Sequence, residues 1–403
     1  TNDVTIIGQD GIRTERLYNP FGQLVQEQTA DAIYGYSYDE YGNLAESIDA
    51  EHTVTRYSYD AFGRQIKTSY PDGTSDSTVY DDAERTVTYT DPAGNRQRQV
   101  ADLLGQVTSV QEYRDGSFQP LESVTYNLAG MVTSRADGNG QRTSYQYDAL
   151  GQVISVTDPA TQTTRYEYNL GGNLTMVTYA DGQQSLYNYD DLGRRTYNRK
   201  ASGTSTTNSY DVRGNVTSMY TSDSQNIQFE YNDDNMLTKM TGPEFETSYT
   251  YDSAGRRTSM TDAHGTTAYS YNEDNGFLTS LTYPDGTQIS YTYNTQSRTG
   301  YTLTDPQGGS TTVEAELDSM NRVTEMEVST GGGGMSLQAA SGPLDRMTFD
   351  YTPNSLLKRQ TSSSGLSTSF NYDGYDLSGV SVEQNGSALQ QFGYEYDASK
   401  KHY

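Results

Sequence analysis

Apolar and polar residues alternate along this chain in runs of about six, broken at short intervals by Asp, Asn, Pro and Gly. The stretch from Gln141 to Asp158 shows the pattern. Arg142-Thr-Ser-Tyr-Gln-Tyr147 alternates and is rich in β-forming residues, so it predicts a strand. Asp148-Ala-Leu-Gly151 then predicts a turn. Aspartate bonds its own backbone two residues on, and glycine supplies the positive φ that such turns require. Gln152-Val-Ile-Ser-Val-Thr157 returns as a second strand. It stops at Asp158-Pro159, because proline removes a ladder donor and biases the residue before it toward extended or turn geometry. No stretch sustains a 3.6-residue apolar period, so the chain is expected to be all-β.

The hairpin is one copy of a repeat. Tyr-Asp-x-x-Gly recurs with Tyr38, Asp39 and Gly42, with Tyr59, Asp60 and Gly63, and with Tyr147, Asp148 and Gly151. It recurs again with Tyr189, Asp190 and Gly193, with Tyr210, Asp211 and Gly214, and with Tyr251, Asp252 and Gly255. Asn replaces Asp at Tyr168-Asn169, Tyr231-Asn232, Tyr271-Asn272 and Tyr293-Asn294. Tyr126, Tyr147, Tyr168, Tyr189, Tyr210 and Tyr231 stand 21 residues apart. A period of this size marks an architecture in which one supersecondary unit stacks on the next. A second turn recurs between the phrases, as at Pro71-Asp72-Gly73, Asp91-Pro92-Ala93-Gly94, Asp181-Gly182 and Pro284-Asp285-Gly286. Two strands and two turns therefore fill one period. The tyrosine pairs 145/147, 166/168, 187/189 and 249/251 are expected to share one face as a continuous rib, since residues two apart on a strand point the same way.

The rhythm has defects. The spacing slips to 25 residues before Tyr126, and the unit near Asp102 has lost its tyrosine, reading Val100-Ala-Asp-Leu-Leu-Gly105. After Tyr293 it loosens further, through Leu317-Asp318, and a Gly-rich irregular insert spans 329–345 before Phe349-Asp350-Tyr351 resumes the repeat. Gly331 to Gly334 are expected to leave the sheet as a loop, with strands near 323–328 and 346–351 still paired as neighbours. Residues 1–403 otherwise read as a single repeat segment, a fragment of a longer chain, because the first strand is already under way at Thr1 and a new phrase opens at Tyr396-Asp397.

Composition sharpens this picture in three places. Only 33% of residues are hydrophobic and none is Trp, which is lean for conventional globular domains, yet 37 tyrosines argue against disorder. Tyrosine buries ring area while its hydroxyl reaches water or a polar partner, which suits a thin sheet wall. The net charge of −26 offers no basic stripe for phosphates, so nucleic-acid binding is not expected, nor is docking on anionic lipid. With no cysteine, disulfides and thiolate chemistry are excluded. No apolar run approaches the ~18 residues of a membrane-spanning helix, so no membrane insertion is expected.

The phrase Tyr57-Ser58-Tyr59-Asp60-Ala61-Phe62-Gly63-Arg64, followed by an Asp-Gly or Asp-Pro turn, resembles the YD repeat of the Rhs family. The resemblance runs from about Leu17 to Asp397. That family includes bacterial Rhs polymorphic toxins, the cocoon-forming subunits of insecticidal Tc toxin complexes, and animal teneurins. It implies a long antiparallel β-hairpin ribbon coiled into a hollow shell or part of one, which in the bacterial members encloses a toxic C-terminal segment. Sheet physics agrees with a coiled ribbon. Roughly 34 strands at about 4.8 Å each would extend on the order of 160 Å. An open sheet of more than about ten twisted strands curls or splits.

Candidate chemistry is sparse. The repeated Asp and Gly lack the Asp-x-Asp-x-Asp-Gly spacing of a calcium loop, and Asx turns account for them. His52, His264 and His402 lie far apart, which does not suit a metal site or a His-based triad. No catalytic, cofactor or metal residues are therefore assigned. By resemblance, Asp305-Pro306-Gln307-Gly308 matches a phrase at which Rhs toxins cleave themselves. Here it also occurs at Asp91 and sits on the ordinary second turn, so both copies are read as turns without self-cleavage. The expected function is a non-enzymatic shell segment of an exported, bacterial, secreted or cell-surface protein. Its partner is the remainder of its own chain or an encapsulated polypeptide. The alternative is an adhesion module that binds carbohydrate or a cell-surface receptor.

Overall fold

The computed structural model describes residues 2–7, 13–29, 31–223, 225–331 and 345–396. Among them, 36 antiparallel strands form one unclosed sheet, from β1 (Asn2–Ile7) to β36 (Ser387–Gly393), and no helix occurs. The unit read from Gln141 onward is formed as the alternation predicts. β14 (Arg142–Tyr147) pairs with β15 (Val153–Thr157) through Ser144↔Thr157, Tyr145↔Val156 and Gln146↔Ser155. The register then slips by one residue at Tyr147↔Val153, a bulge that closes the turn. Gln152 belongs to that turn, where its carbonyl accepts the Asp148 N–H at 2.9 Å, and so the returning strand starts one residue later than the alternation suggests.

The chain divides into two compact units. Unit 1 comprises Thr1–Arg98, Asp252–Thr258 and Thr267–Tyr403; unit 2 comprises Gln99–Tyr251 and Ser259–Thr266. In unit 2 the cross-strand neighbours on one face run Tyr145–Val156–Thr164, Tyr166–Val177–Ser185, Tyr187–Asn198–Thr206 and Phe229–Met240–Thr247. Large rings thus alternate with smaller residues of the intervening strands, an arrangement in which each ring packs on its cross-strand partners. The rings of Tyr145, Tyr147, Tyr166, Tyr168, Tyr187, Tyr189, Tyr249 and Tyr251 are half-buried. Deep burial is confined to small residues on this sheet, such as Ala136, Val177, Ser134 and Ser185, and no large side chain is fully buried among the described residues. A single-layer sheet has no interior, so neighbouring units must supply the stability that a core supplies elsewhere.

The sequence defects have simple forms. At Asp102 the turn keeps the geometry of its neighbours although the tyrosine is gone. The 25-residue spacing comes from a longer hairpin, β11 (Val107–Arg114) and β12 (Ser117–Tyr126), which close on the two-residue loop Asp115-Gly116. Pro120 sits beside the register shift at Val110/Gln111, where its missing N–H is tolerated. β31 (Val323–Gly331) pairs along its whole length with β30 (Ser310–Leu317), as far as Ser310↔Gly331, so Ser329, Thr330 and Gly331, expected in the irregular insert, instead continue the strand because the longer β30 supplies them a ladder. β31 also pairs with β32 (Asp345–Tyr351) through Glu325↔Thr348 to Val328↔Asp345, so the strands flanking the insert are neighbours. Residues 332–344, which hold the rest of the glycine run, lie outside the described residues.

Candidate functional site

In the unit from Gln141 both turns are the same device. In the first, Gly151 N–H donates to the Asp148 carbonyl at 3.2 Å, and Asp148 Oδ1 accepts from the N–H of Leu150 and of Gln152 at 2.9 Å each. Gly151 has φ +81°, the left-handed residue that ends a three-residue hairpin loop. In the second, Thr161 N–H donates to the Asp158 carbonyl at 3.0 Å and Gln162 N–H to Asp158 Oδ1 at 2.8 Å. Thr161 holds the left-handed position itself, at φ 66°. Asp39, Asp60, Asn169, Asp190, Asp211 and Asp252 repeat the Asp148 pattern. Gly42, Gly63, Gly193, Gly214 and Gly255 take the same left-handed place. In Asp39 and Asp211 the amide of Asn43 or Asn215 bonds Oδ2 at 2.9 Å. That bond outweighs desolvation and, with the backbone donors, holds these carboxyls below the usual range. Oδ1 of each of these first-turn carboxylates is thus committed to its own turn.

The tyrosine that precedes each turn ties its hairpin to the one before. Tyr147 hydroxyl donates to the Val132 carbonyl at 2.7 Å. Val132 opens β13 (Val132–Asp137), whose last backbone pair with β14 on that side is Ser134↔Ser144. The hydroxyl therefore adds one bond beyond the end of a three-pair ladder. Tyr38, Tyr59, Tyr168, Tyr189, Tyr210 and Tyr251 do the same to Leu24, Leu44, Val153, Leu174, Arg195 and Leu237. Tyr80, Tyr126, Tyr231, Tyr271, Tyr293, Tyr351 and Tyr372 also follow the rule.

Where arginine follows the turn, a second link forms. Arg194 Nε is held by Asp190 Oδ2 at 2.7 Å, and its guanidinium lies 4.8 Å from the ring centroid of Tyr210, the clasp tyrosine of the next unit. Arg64 over Tyr80, Arg256 over Tyr271 and Arg322 over Tyr351 repeat this at 4.3, 4.9 and 5.0 Å. Such cation–π contacts contribute about 0.5–1 kcal/mol at exposed sites. The recurrent Gly-Arg of the repeat was the available signal for this link. Sequence reasoning assigned it no role.

Within unit 1 the ribbon also meets itself edge to edge. First turns of residues 272–375 face second turns of residues 31–91. Asn275 Nδ2 donates to Asp31 Oδ2 at 2.8 Å, Thr295 hydroxyl to Glu51, and Asn354 Nδ2 to Asp91 Oδ2 at 3.2 Å. Arg322 Nη2 reaches Asp72 Oδ2 at 3.4 Å while keeping Asp318 at 2.7 Å. Asp91 is the most buried of these groups, 2% exposed, and also meets the Tyr375 hydroxyl. Burial, then that hydrogen bond, pushes the Tyr375 phenol up to about 12. These pairs are 244 to 263 residues apart in sequence.

Catalytic geometry is thin among the described residues. Asp91 and Asp305 both hold ordinary second turns, with Oδ1 accepting from the N–H groups two and four residues on. His52 occupies a left-handed turn position, and His264 is exposed beside Asp262 at 3.5 Å; His402 lies outside the described residues. Glu314 faces Glu327, and Glu316 faces Glu325, across β30 and β31 around a hollow of about 280 Å³. Among the described residues no cluster of three or more His, Asp or Glu has a metal-binding arrangement.

Three comparisons place this geometry. No curated protein matches the chain. Among solved structures, the crystal structure of TcdB2-TccC3-Cdc42 superposes with a TM-score of 0.64 at 12% identity, covering 99% of this chain and 26% of that one. The crystal structure of TcdB2-TccC3 gives 0.64 at 12% identity, covering 96% and 27%. TcdB2-TccC3 without its hypervariable C-terminal region gives 0.64 at 12%, covering 97% and 26%. At such identity the likeness is one of fold, and the chain spans about a quarter of the length of those chains. Residues 38–75 match the RHS repeat. Residues 77–298 and 199–327 match the teneurin YD-shell, and the chain belongs to that family of YD-repeat shell proteins.

Proposed function

We propose that this chain is a non-enzymatic wall segment of an exported YD-repeat protein, built to enclose another polypeptide segment. The observation that carries this reading is the edge contact in unit 1. A hairpin ribbon is only one strand-length wide, and the pairs Asn275–Asp31, Arg322–Asp72 and Asn354–Asp91 join two stretches of it side by side. Joined edges turn a ribbon into a wall. The Asx carboxylates and clasp tyrosines are structural in this account, and residues 1–403 act as one continuous segment. The structural neighbour TcdB2-TccC3 has a hypervariable C-terminal region, which is the kind of segment such a wall would contain. Among the described residues no helix is long and apolar enough to cross a membrane.

Limited proteolysis of the full-length protein tests enclosure. The segment held by the wall is expected to survive protease as long as the wall is folded, and to be digested in an Asp91→Ala variant whose edge contact is weakened. Digestion of that segment at the same rate in both proteins would sink the reading. The same gels test the absence of activity, because no discrete fragment pair that disappears in Asp305→Asn should form.

A further inference from the structure

Asn-Gly occurs at Asn139, Asn275 and Asn385, and the copy at Asn275 stands in the edge contact of unit 1. The turn that carries it is one residue longer than the turn at Asp148. Asn272 N–H donates to the Phe277 carbonyl at 2.8 Å, and Gly276 N–H donates back to the Asn272 carbonyl at 3.0 Å. Asn275 therefore precedes the left-handed glycine, a place taken in other first turns by Tyr41, Phe62 or Leu150. Its side-chain amide is held at both ends. Oδ1 accepts the Phe277 N–H at 3.0 Å, and Nδ2 donates to Asp31 Oδ2 at 2.8 Å. Gly276, at φ +75°, has no Cβ to shield its nitrogen from the neighbouring amide carbon.

We propose that Asn275 is a deamidation site gated by its contact with Asp31, and that the reaction opens that contact for good. The Gly276 nitrogen gives its proton to solvent base and attacks Asn275 Cγ. The Cγ–Nδ2 bond breaks, and ammonia leaves with a proton taken from water. The five-membered succinimide then adds water and opens to aspartate or isoaspartate, with no change in oxidation state. While the contact is closed, the attacking nitrogen donates its proton to Asn272 and both atoms of the amide are held, so attack waits for local opening. The product reverses the chemistry of the contact. A carboxylate at 275 has no hydrogen to give, and its charge stands against Asp31 where an amide hydrogen stood before. Each opening that ends in reaction is thereby withdrawn from the closed population, as proteolysis withdraws an unfolded chain. The chemistry depends on the contact itself and not on what the wall encloses.

Peptide mapping by mass spectrometry on the intact chain, aged at mildly alkaline pH, is the test. The same chain in urea and an Asp31→Ala variant are aged beside it, and Asn139 is read in every digest as an internal reference. Circular dichroism checks that each variant is folded. Conversion at Asn275 should be at least about tenfold slower in the folded chain than in urea. Asp31→Ala should raise the folded rate severalfold and leave the rate at Asn139 unchanged. Hydrogen exchange reads the consequence. Asn275→Asp should speed exchange at residues 31–33 and 272–277, and adding Asp31→Asn to that chain should restore protection, because amide and carboxylate have then traded sides. A folded chain that never converts at Asn275, or converts as fast as in urea, overturns the proposal. So does an Asp31→Ala variant that converts no faster than wild type, an Asn275→Asp chain that exchanges as wild type does, or a double variant that fails to recover.

Discussion

At the scale of single residues, the left-handed turn position has the clearest physical consequence. Gly151 occupies it in the first turn of its unit, and Thr161 occupies the equivalent place in the next turn at φ 66°. For a β-branched residue that conformation costs roughly 1–2 kcal/mol, from the approach of Cβ to the following carbonyl. Glycine removes the penalty but adds entropy to the unfolded chain. Thr161→Gly is therefore expected to raise stability by about 0.5–1 kcal/mol, read as a higher urea midpoint at unchanged slope. An unchanged or lower midpoint would show that Thr161 makes a compensating contact. The turn residues were largely legible in the sequence, because aspartate, glycine and their spacing act locally. The Asx bonds of Asp148 and Asp91 are set within five residues and need no distant partner.

At the scale of the element, legibility weakens. The hairpins Arg142–Tyr147 and Val153–Thr157 follow from alternation, and even the unit that lost its tyrosine near Asp102 keeps its turn. What alternation does not reveal is where a hydroxyl goes. The rib expected of Tyr145, Tyr147 and their equivalents accounts for the rings, but the two tyrosines of a pair differ. Tyr147 clasps Val132, whereas Tyr145 hydroxyl has no hydrogen bond among the described residues. The ladder between hairpins has only three backbone pairs at Ser134↔Ser144, Arg135↔Thr143 and Ala136↔Arg142, so one added bond there matters more than inside a hairpin. Removing the hydroxyl in Tyr147→Phe should cost about 1 kcal/mol and speed amide exchange where β13 meets β14. Tyr145→Phe should stay within about 0.5 kcal/mol of wild type. Equal losses at the two positions would mean that ring packing, not the clasp, joins the hairpins.

At the scale of the whole molecule, the edge contact had no sequence signature at all. Arg322 and Asp72 are 250 residues apart, and nothing near either distinguishes them from Arg194 or Asp181. The clasps, by contrast, sum over the chain, and a sheet without a core depends on that sum. A clasp works only while the phenol is protonated, since a phenolate cannot donate to a carbonyl. In Tyr59, Tyr168, Tyr231, Tyr271, Tyr293, Tyr351 and Tyr372, burial is the largest effect and raises the pKa above its ordinary value of 10.0. A folded pKa above the unfolded one means stability that is fully present below about pH 10 and is lost as pH rises through the folded value. Alkali is therefore expected to unzip the sheet cooperatively above about pH 10. Tyrosinate absorbance should rise together with the loss of the far-ultraviolet β-sheet signal, and later than in the urea-unfolded chain. Successive clasps sit on alternate ladders, Tyr147 joining β14 to β13 and Tyr168 joining the strand Thr163–Tyr168 to β15. β14 and β15 are one hairpin, so releasing one clasp loosens a hairpin that the next clasp also holds, and the transition should be steeper than the titration of independent phenols. A gradual ionisation that begins near pH 10 with the sheet signal intact would show that the hydroxyls reach water and that the clasps contribute nothing to holding the units together.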